Sequence, residues 1–171
     1  MKLIDDVVTK GKILLPENLR NTAFVRLFGL LKVPLIFYVS PRVIHLNDEL
    51  CEIVIPLNRR TKNHLNSMYF GVLCTGADIA GGLIAMNEID KSKKKIQLSF
   101  KDFHAEFLKR AHGDVHFKCT QSSDIKNFVL DVIKSGERMN YKVIIEATVP
   151  TKPEDGVVAK FELTLSLKCK N

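Results

Sequence analysis

Asn63-His64-Leu65-Asn66-Ser67-Met68-Tyr69-Phe70-Gly71 runs directly into an apolar segment, and this stretch decides how the chain is read. From residue 68 to residue 86 the only charged side chain is Asp78, and small residues (Gly71, Gly76, Ala77, Ala80, Gly81, Gly82, Ala85) recur throughout. A helix that is apolar on every side must be enclosed by the rest of the protein. Burying a carboxylate there without a partner is costly, so Asp78 needs a partner, a wet pocket or a task. Desolvation raises a carboxyl pKa and makes the group a better base near neutral pH. The run is long enough to cross a bilayer, but the acid at its middle and its many glycines favour a helix buried in a soluble domain.

The flanking sequence predicts the enclosure. Upstream, Pro16-Glu17-Asn18 signals a helix start, with Asn18 or a nearby polar group as cap. That helix runs to about residue 31 and lays Leu19, Phe24, Leu27, Phe28 and Leu31 against something apolar. Pro34 and Pro41 end it and lead into extended chain. Residues 43–46 and 51–55 flank Asn47-Asp48-Glu49 as a hairpin. Downstream of Asn87 the apolar period becomes two: residues 95–100 alternate, and the pattern resumes through Phe103, Ala105 and Phe107. Beyond a His112-Gly113-Asp114 turn, residues 115–120 alternate again. Ser122-Ser123-Asp124 predicts the cap of a second helix over 125–135, with Phe128, Val129, Val132 and Ile133 inward and Gly136 as its stop. Strands over 141–149 and 157–168 follow. The sum is an α+β fold, a single domain over 1–171 with a helical extension at about 16–31 and a curved antiparallel sheet wrapped around the long buried helix.

Composition narrows the function classes. At 171 residues with a net charge of +7, the chain can bury a sizeable core and favours an anionic partner. Its cations are scattered apart from 59–62, 91–95 and 109–110, which fits a phosphate-bearing small molecule and not nucleic acid. The four cysteines, Cys51, Cys74, Cys119 and Cys169, lie far apart with no histidine at ligand spacing, so no metal site is expected and the thiols read as reduced core residues. Met1 to Asp6 lack the pattern of a signal peptide, and residues 23–39 are interrupted by Arg26, Lys32 and Pro34. A cytoplasmic location without stable membrane insertion is expected. The five histidines form no constellation, and neither a G-x-S-x-G elbow nor a Gly-rich phosphate loop is present.

The order Asn63, Asn66, Tyr69-Phe70-Gly71, Ala77-Asp78-Ile79-Ala80 is similar to a family pattern of Asn, a short Gly-containing loop, His-Gly-Gly and a helix bearing Ala-Asp. Phe107-Leu108-Lys109-Arg110-Ala111-His112-Gly113-Asp114 is similar to that family's Phe-Leu-Arg-Pro-Ala-x-Gly-Asp hairpin, and residues 35–57 look like its first strand pair. The chain thus resembles the hotdog-fold acyl-CoA thioesterases, in particular a thioesterase-like branch related to the phenylacetate-pathway thioesterases. The resemblance implies hydrolysis of an acyl-CoA thioester by a homodimer or homotetramer, with a groove shared between subunits. Coenzyme A would be part of the substrate, with no further cofactor.

Under that resemblance Asp78 is the general base or nucleophile, and the backbone N–H groups of Phe70 and Gly71 at the helix start hold the oxyanion. Asp78 follows Gly71 at i, i+7, so both can line one groove. Asn63 would orient water or the acyl carbonyl, or simply cap its loop. Tyr69 and His64 would border the substrate. Arg59, Arg60, Lys62, Lys109 and Arg110 would meet the coenzyme A phosphates, or form an ordinary solvated surface. Two positions depart from the family: Tyr69 stands where it has His, and Phe70 where it has Gly. That departure motivates an alternative, a non-catalytic acyl-CoA or lipid-binding hotdog protein. A further alternative is a lipid-surface protein using residues 24–37 as an interfacial helix.

Overall fold

The computed structural model describes residues 16–170, so the signal-peptide reading of Met1 to Asp6 lies outside the described residues. The chain forms α1 (Glu17–Lys32), α2 (Pro34–Tyr38), β1 (Arg42–Leu46), β2 (Cys51–Ile55) and α3 (Phe70–Ser92). It continues through β3 (Ile96–Phe107), β4 (Val115–Cys119), α4 (Ser122–Ser135), β5 (Arg138–Thr148), a 3-10 turn (Pro153–Asp155) and β6 (Val157–Cys169). The six strands make one antiparallel sheet in the order β1-β2-β4-β5-β6-β3, which places β1 and β3 at its edges.

The apolar run becomes α3 because it lies against the inward residues of the strands. Leu73, Ala77, Ala80 and Ile84 are buried together with Ile53, Phe117, Ile145 and Phe161. By length and composition α3 could cross a membrane, but 67% of its apolar window is buried inside the protein. It extends beyond Met86 to Ser92, where the Lys91–Glu88 pair (2.6 Å) decorates the last turns and Lys93, in a left-handed conformation, caps it. The hairpin falls as expected, with the Asn47 Oδ1 accepting from the N–H groups of Glu49 and Leu50 at 2.9 Å. The alternation over 96–107 is a single strand interrupted by a register shift between Phe100 and Phe103.

Three local expectations are corrected. Pro16 occupies the cap position of α1, and Asn18 sits inside the first turn accepting from the Leu19 N–H. Pro34 starts the short helix α2 instead of extended chain, since its ring suits the first helical position. Gln121 is the cap residue of α4, so Ser122, Ser123 and Asp124 are already helical. Helix α1 also divides its apolar residues between two sides. Val25 and Gly29 are buried and Phe24, Leu27 and Phe28 partly so, while Leu19 and Leu31 face solvent.

Candidate active site

The loop leading into α3 is organised by small polar side chains. Thr61 is fully buried; its hydroxyl donates to the Pro56 carbonyl (2.6 Å) and accepts from the Asn58 N–H (2.9 Å). Asn63 closes the next turn, its Oδ1 accepting from Leu65 N–H (2.8 Å) and Ser67 N–H (3.3 Å) while its Nδ2 donates to Ser67 Oγ (3.1 Å). The segment read as a hairpin over 107–114 is not one, since β3 and β4 are not neighbours in the sheet. It is the connection that carries the chain from β3 to β4, and it docks on this loop. Met68 donates its N–H to the Ala111 carbonyl (2.9 Å), and the Asp114 carboxylate accepts from Leu57 N–H (2.9 Å). The two segments whose motifs were read separately in the sequence are therefore one structural unit.

At the start of α3 the Tyr69 N–H is taken by the Thr61 carbonyl (2.8 Å), whereas the N–H groups of Phe70 and Gly71 have no acceptor among the described residues. Such orphan donors at a helix N-terminus suit a developing negative charge. The Tyr69 ring lies over Gly71 so closely that a Cβ there would come within 2.7 Å of it. Phe70 turns outward, 4.8 Å from Tyr69 and 6.1 Å from Phe107 between ring centroids, and Tyr69, Phe70 and Phe107 remain exposed.

Two turns further along the same helix, Asp78 sits on the least covered face of α3, in line with the half-buried Gly71 and Cys74. Its carboxylate has no hydrogen bond or ion pair among the described residues, and burial alone pushes its pKa up to about 6. It opens into an apolar pocket of about 250 Å³ walled by Phe24 and Phe28 of α1, Ile36 of α2, Leu83 of α3 and Leu98 and Phe100 of β3. A pocket of this size and lining is suited to a hydrocarbon chain, with one carboxylate at its wall. The helical extension was not expected to form that wall; its one sequence signal was the i, i+4 pair Phe24 and Phe28. Within one chain the pocket does not reach Tyr69, Phe70 or Gly71, about 10 Å away along the helix at its ordinary rise.

The remaining candidates lie on the loop before α3 and on the β3–β4 connection. Arg59, His64 and Arg110 are exposed, and Arg60 sits 5.6 Å over the Tyr38 ring. Lys62 Nζ donates to Asn66 Oδ1 (3.1 Å), and Lys109 Nζ donates to the Asp155 carbonyl (2.6 Å). The Met68–Ala111 contact joins the two segments that carry these cations. His45, His104 and His116 are on strands, His116 bound to Glu52 at 2.7 Å, and no metal-holding cluster occurs among the described residues. All four cysteines are free thiols, and burial pushes the pKa of Cys51, Cys74 and Cys119 upward, away from reactivity.

Residues 20–167 match the family described as domain of unknown function (DUF4442). Solved structures of similar fold include a candidate thioesterase from Shewanella oneidensis (TM-score 0.73, 13% identity, 88% of this chain and 98% of that one). Another is a protein of unknown function from Pseudomonas aeruginosa, described as a thioesterase candidate (TM-score 0.71, 21% identity, 91% and 97%). A thioesterase from Haemophilus influenzae is also similar (TM-score 0.59, 14% identity, 84% and 88%). These likenesses establish the hotdog fold. No curated protein sequence matches the chain.

Proposed function

The chain belongs to the DUF4442 family of thioesterase-like hotdog domains, and from that premise we propose that it hydrolyses an acyl-CoA thioester to the free acid and coenzyme A. The observation that carries the reading is Asp78, an unpartnered carboxylate with its pKa raised to about 6 at the wall of an apolar pocket. The acyl chain occupies the pocket. Asp78 removes a proton from water, whose oxygen bonds to the thioester carbonyl carbon. The N–H groups of Phe70 and Gly71 hold the oxyanion. As the carbon–sulfur bond breaks, the proton passes to the departing thiolate. Arg59, Arg60, Lys62, Lys109 and Arg110 attract the phosphates of coenzyme A, Asn63 holds the loop, and Tyr69 and His64 border the entrance.

The distance between Asp78 and the helix start within one chain supports a homodimer in which each site takes its acid from one copy and its oxyanion donors from the other. The outer side of β3 is an unpaired sheet edge of 12 residues with Phe103 and Phe107 exposed, a natural surface for a second copy. The reduced thiols are compatible with a cytoplasmic setting.

The test is thiol release from short, long and aromatic acyl-CoA thioesters by the wild type and Asp78→Asn. Release that collapses in the variant supports both the activity and its base. The Tyr69 ring resting on Gly71 favours a second reading, a carrier of acyl-CoA that no longer hydrolyses it. Acyl-CoA binding with no thiol released from any thioester would favour that reading.

A further inference from the structure

The corner where α1 meets α2 presents a concentrated apolar surface. Leu30, Leu31, Val33, Leu35, Phe37 and Tyr38 are all exposed, Leu30 by 53% and Leu35 by 54%. They cannot turn inward, because the corner is tightly held from beneath. Ile36 and Val39 are buried in the core, and Arg26 Nε donates to the Pro41 carbonyl at 3.0 Å. Gly29 lets α2 pack directly on α1: a Cβ there would lie 2.5 Å from the Phe37 nitrogen.

The adjoining chain segments are predominantly cationic, although Arg42 is paired with Asp114 at 3.4 Å and Asp78 lines the neighbouring pocket. Between Asn18 and Asn47 the chain has Arg20, Arg26, Lys32 and Arg42 and no acid; between Ile53 and Ala77 it has Arg59, Arg60 and Lys62 and no acid. The two segments meet where the Arg60 guanidinium covers the Tyr38 ring. Apolar side chains within a cationic surround suit the headgroup region of an anionic bilayer. A second copy of the same surface would set these cations against one another. The surface is also continuous with the pocket, since Val33 and Ile36 of the corner line it together with Asp78.

We infer that the α1–α2 corner docks reversibly on an anionic membrane surface. Resting on the thioesterase reading above, the acyl chain enters the Asp78 pocket from the lipid side, and the substrate class is long-chain, membrane-partitioned acyl thioesters.

Flotation of the full chain with phosphatidylcholine vesicles, with and without phosphatidylglycerol, tests this. The wild type is expected to float only with the anionic vesicles, and less as salt is raised. Replacing Leu30 and Leu35 together by Glu should reduce the bound fraction about tenfold or more, because apolar burial is lost and charge of the wrong sign is added. Lys32→Glu, an exposed single change, should act in the same direction. Hydrolysis of a vesicle-borne long-chain thioester should fall with binding, while hydrolysis of a water-soluble short-chain thioester stays at the wild-type rate in the leucine variant. Wild-type protein that stays with the buffer, or a leucine variant that floats as well as wild type, overturns the inference. So does an oligomer that the leucine changes dissociate in a protein that binds no vesicles. Flotation without hydrolysis of any thioester leaves the docking surface standing and removes the enzymatic reading.

Discussion

The loop at the head of α3 and the pocket beside its middle treat their polar groups in opposite ways. In the loop every polar side chain that is buried has a partner: Thr61 bonds Pro56 and Asn58, and Ser67 bonds Asn63. In the pocket Asp78 has none among the described residues, and the surrounding side chains are almost entirely apolar. A satisfied polar group holds the chain in one shape. An unsatisfied carboxylate works against stability, and groups of this kind gather at working sites.

The sharpest test of this contrast is the pH dependence of turnover. Asp78→Asn should lower thiol release by about a hundredfold or more, the scale of a lost general base. In the wild type the rate should rise as pH passes through about 6, where Asp78 loses its proton. A variant that retains full turnover removes Asp78 from the chemistry.

The same substitution should stabilise the protein. The folded state binds the Asp78 proton more tightly than the unfolded chain does, because burial raises the pKa from 3.8 to about 6. The group's contribution is therefore fully favourable below pH 4 and is lost as pH rises through about 6. At pH 8 Asp78→Asn should gain on the order of 2 kcal/mol, several degrees in Tm, and the gain should disappear near pH 4. Equal melting at pH 8 would mean that Asp78 has a partner in solution.

The loop should behave in the reverse manner. Thr61→Val keeps the volume but leaves the Pro56 carbonyl and the Asn58 N–H without their partner, and should cost about 2 kcal/mol in urea unfolding. Asn63→Ala, at a half-buried turn, should cost about 1 kcal/mol. A loss of turnover in Asn63→Ala greater than the instability explains would give Asn63 a direct part in the reaction.

Much of this was legible in residue order. The composition of 68–86 marks a helix largely enclosed by the protein, because no orientation offers it a polar face, although the side carrying Gly71, Cys74 and Asp78 is only half-buried. The turn chemistry of Asn47 and the left-handed stop at Gly136 (φ 70°) act within a few residues and appear where expected. Asp78 could be singled out for the same reason, as the one acid in an apolar run. Pro34 was less legible, since a proline that ends one helix equally well begins the next.

Residue types and their spacing thus determined the strands, the buried helix and the isolated acid, through periodicity and local backbone preference. Packing over long sequence distances decided what surrounds that acid. Phe24 and Phe28 reach Asp78 across fifty or so residues only because α1 folds back beside α3, a distance at which spacing carries no information. The outward display of Leu30, Leu35 and Tyr38 likewise depends on α2 packing against Gly29, which turns one side of an apolar segment into the core and leaves the other exposed.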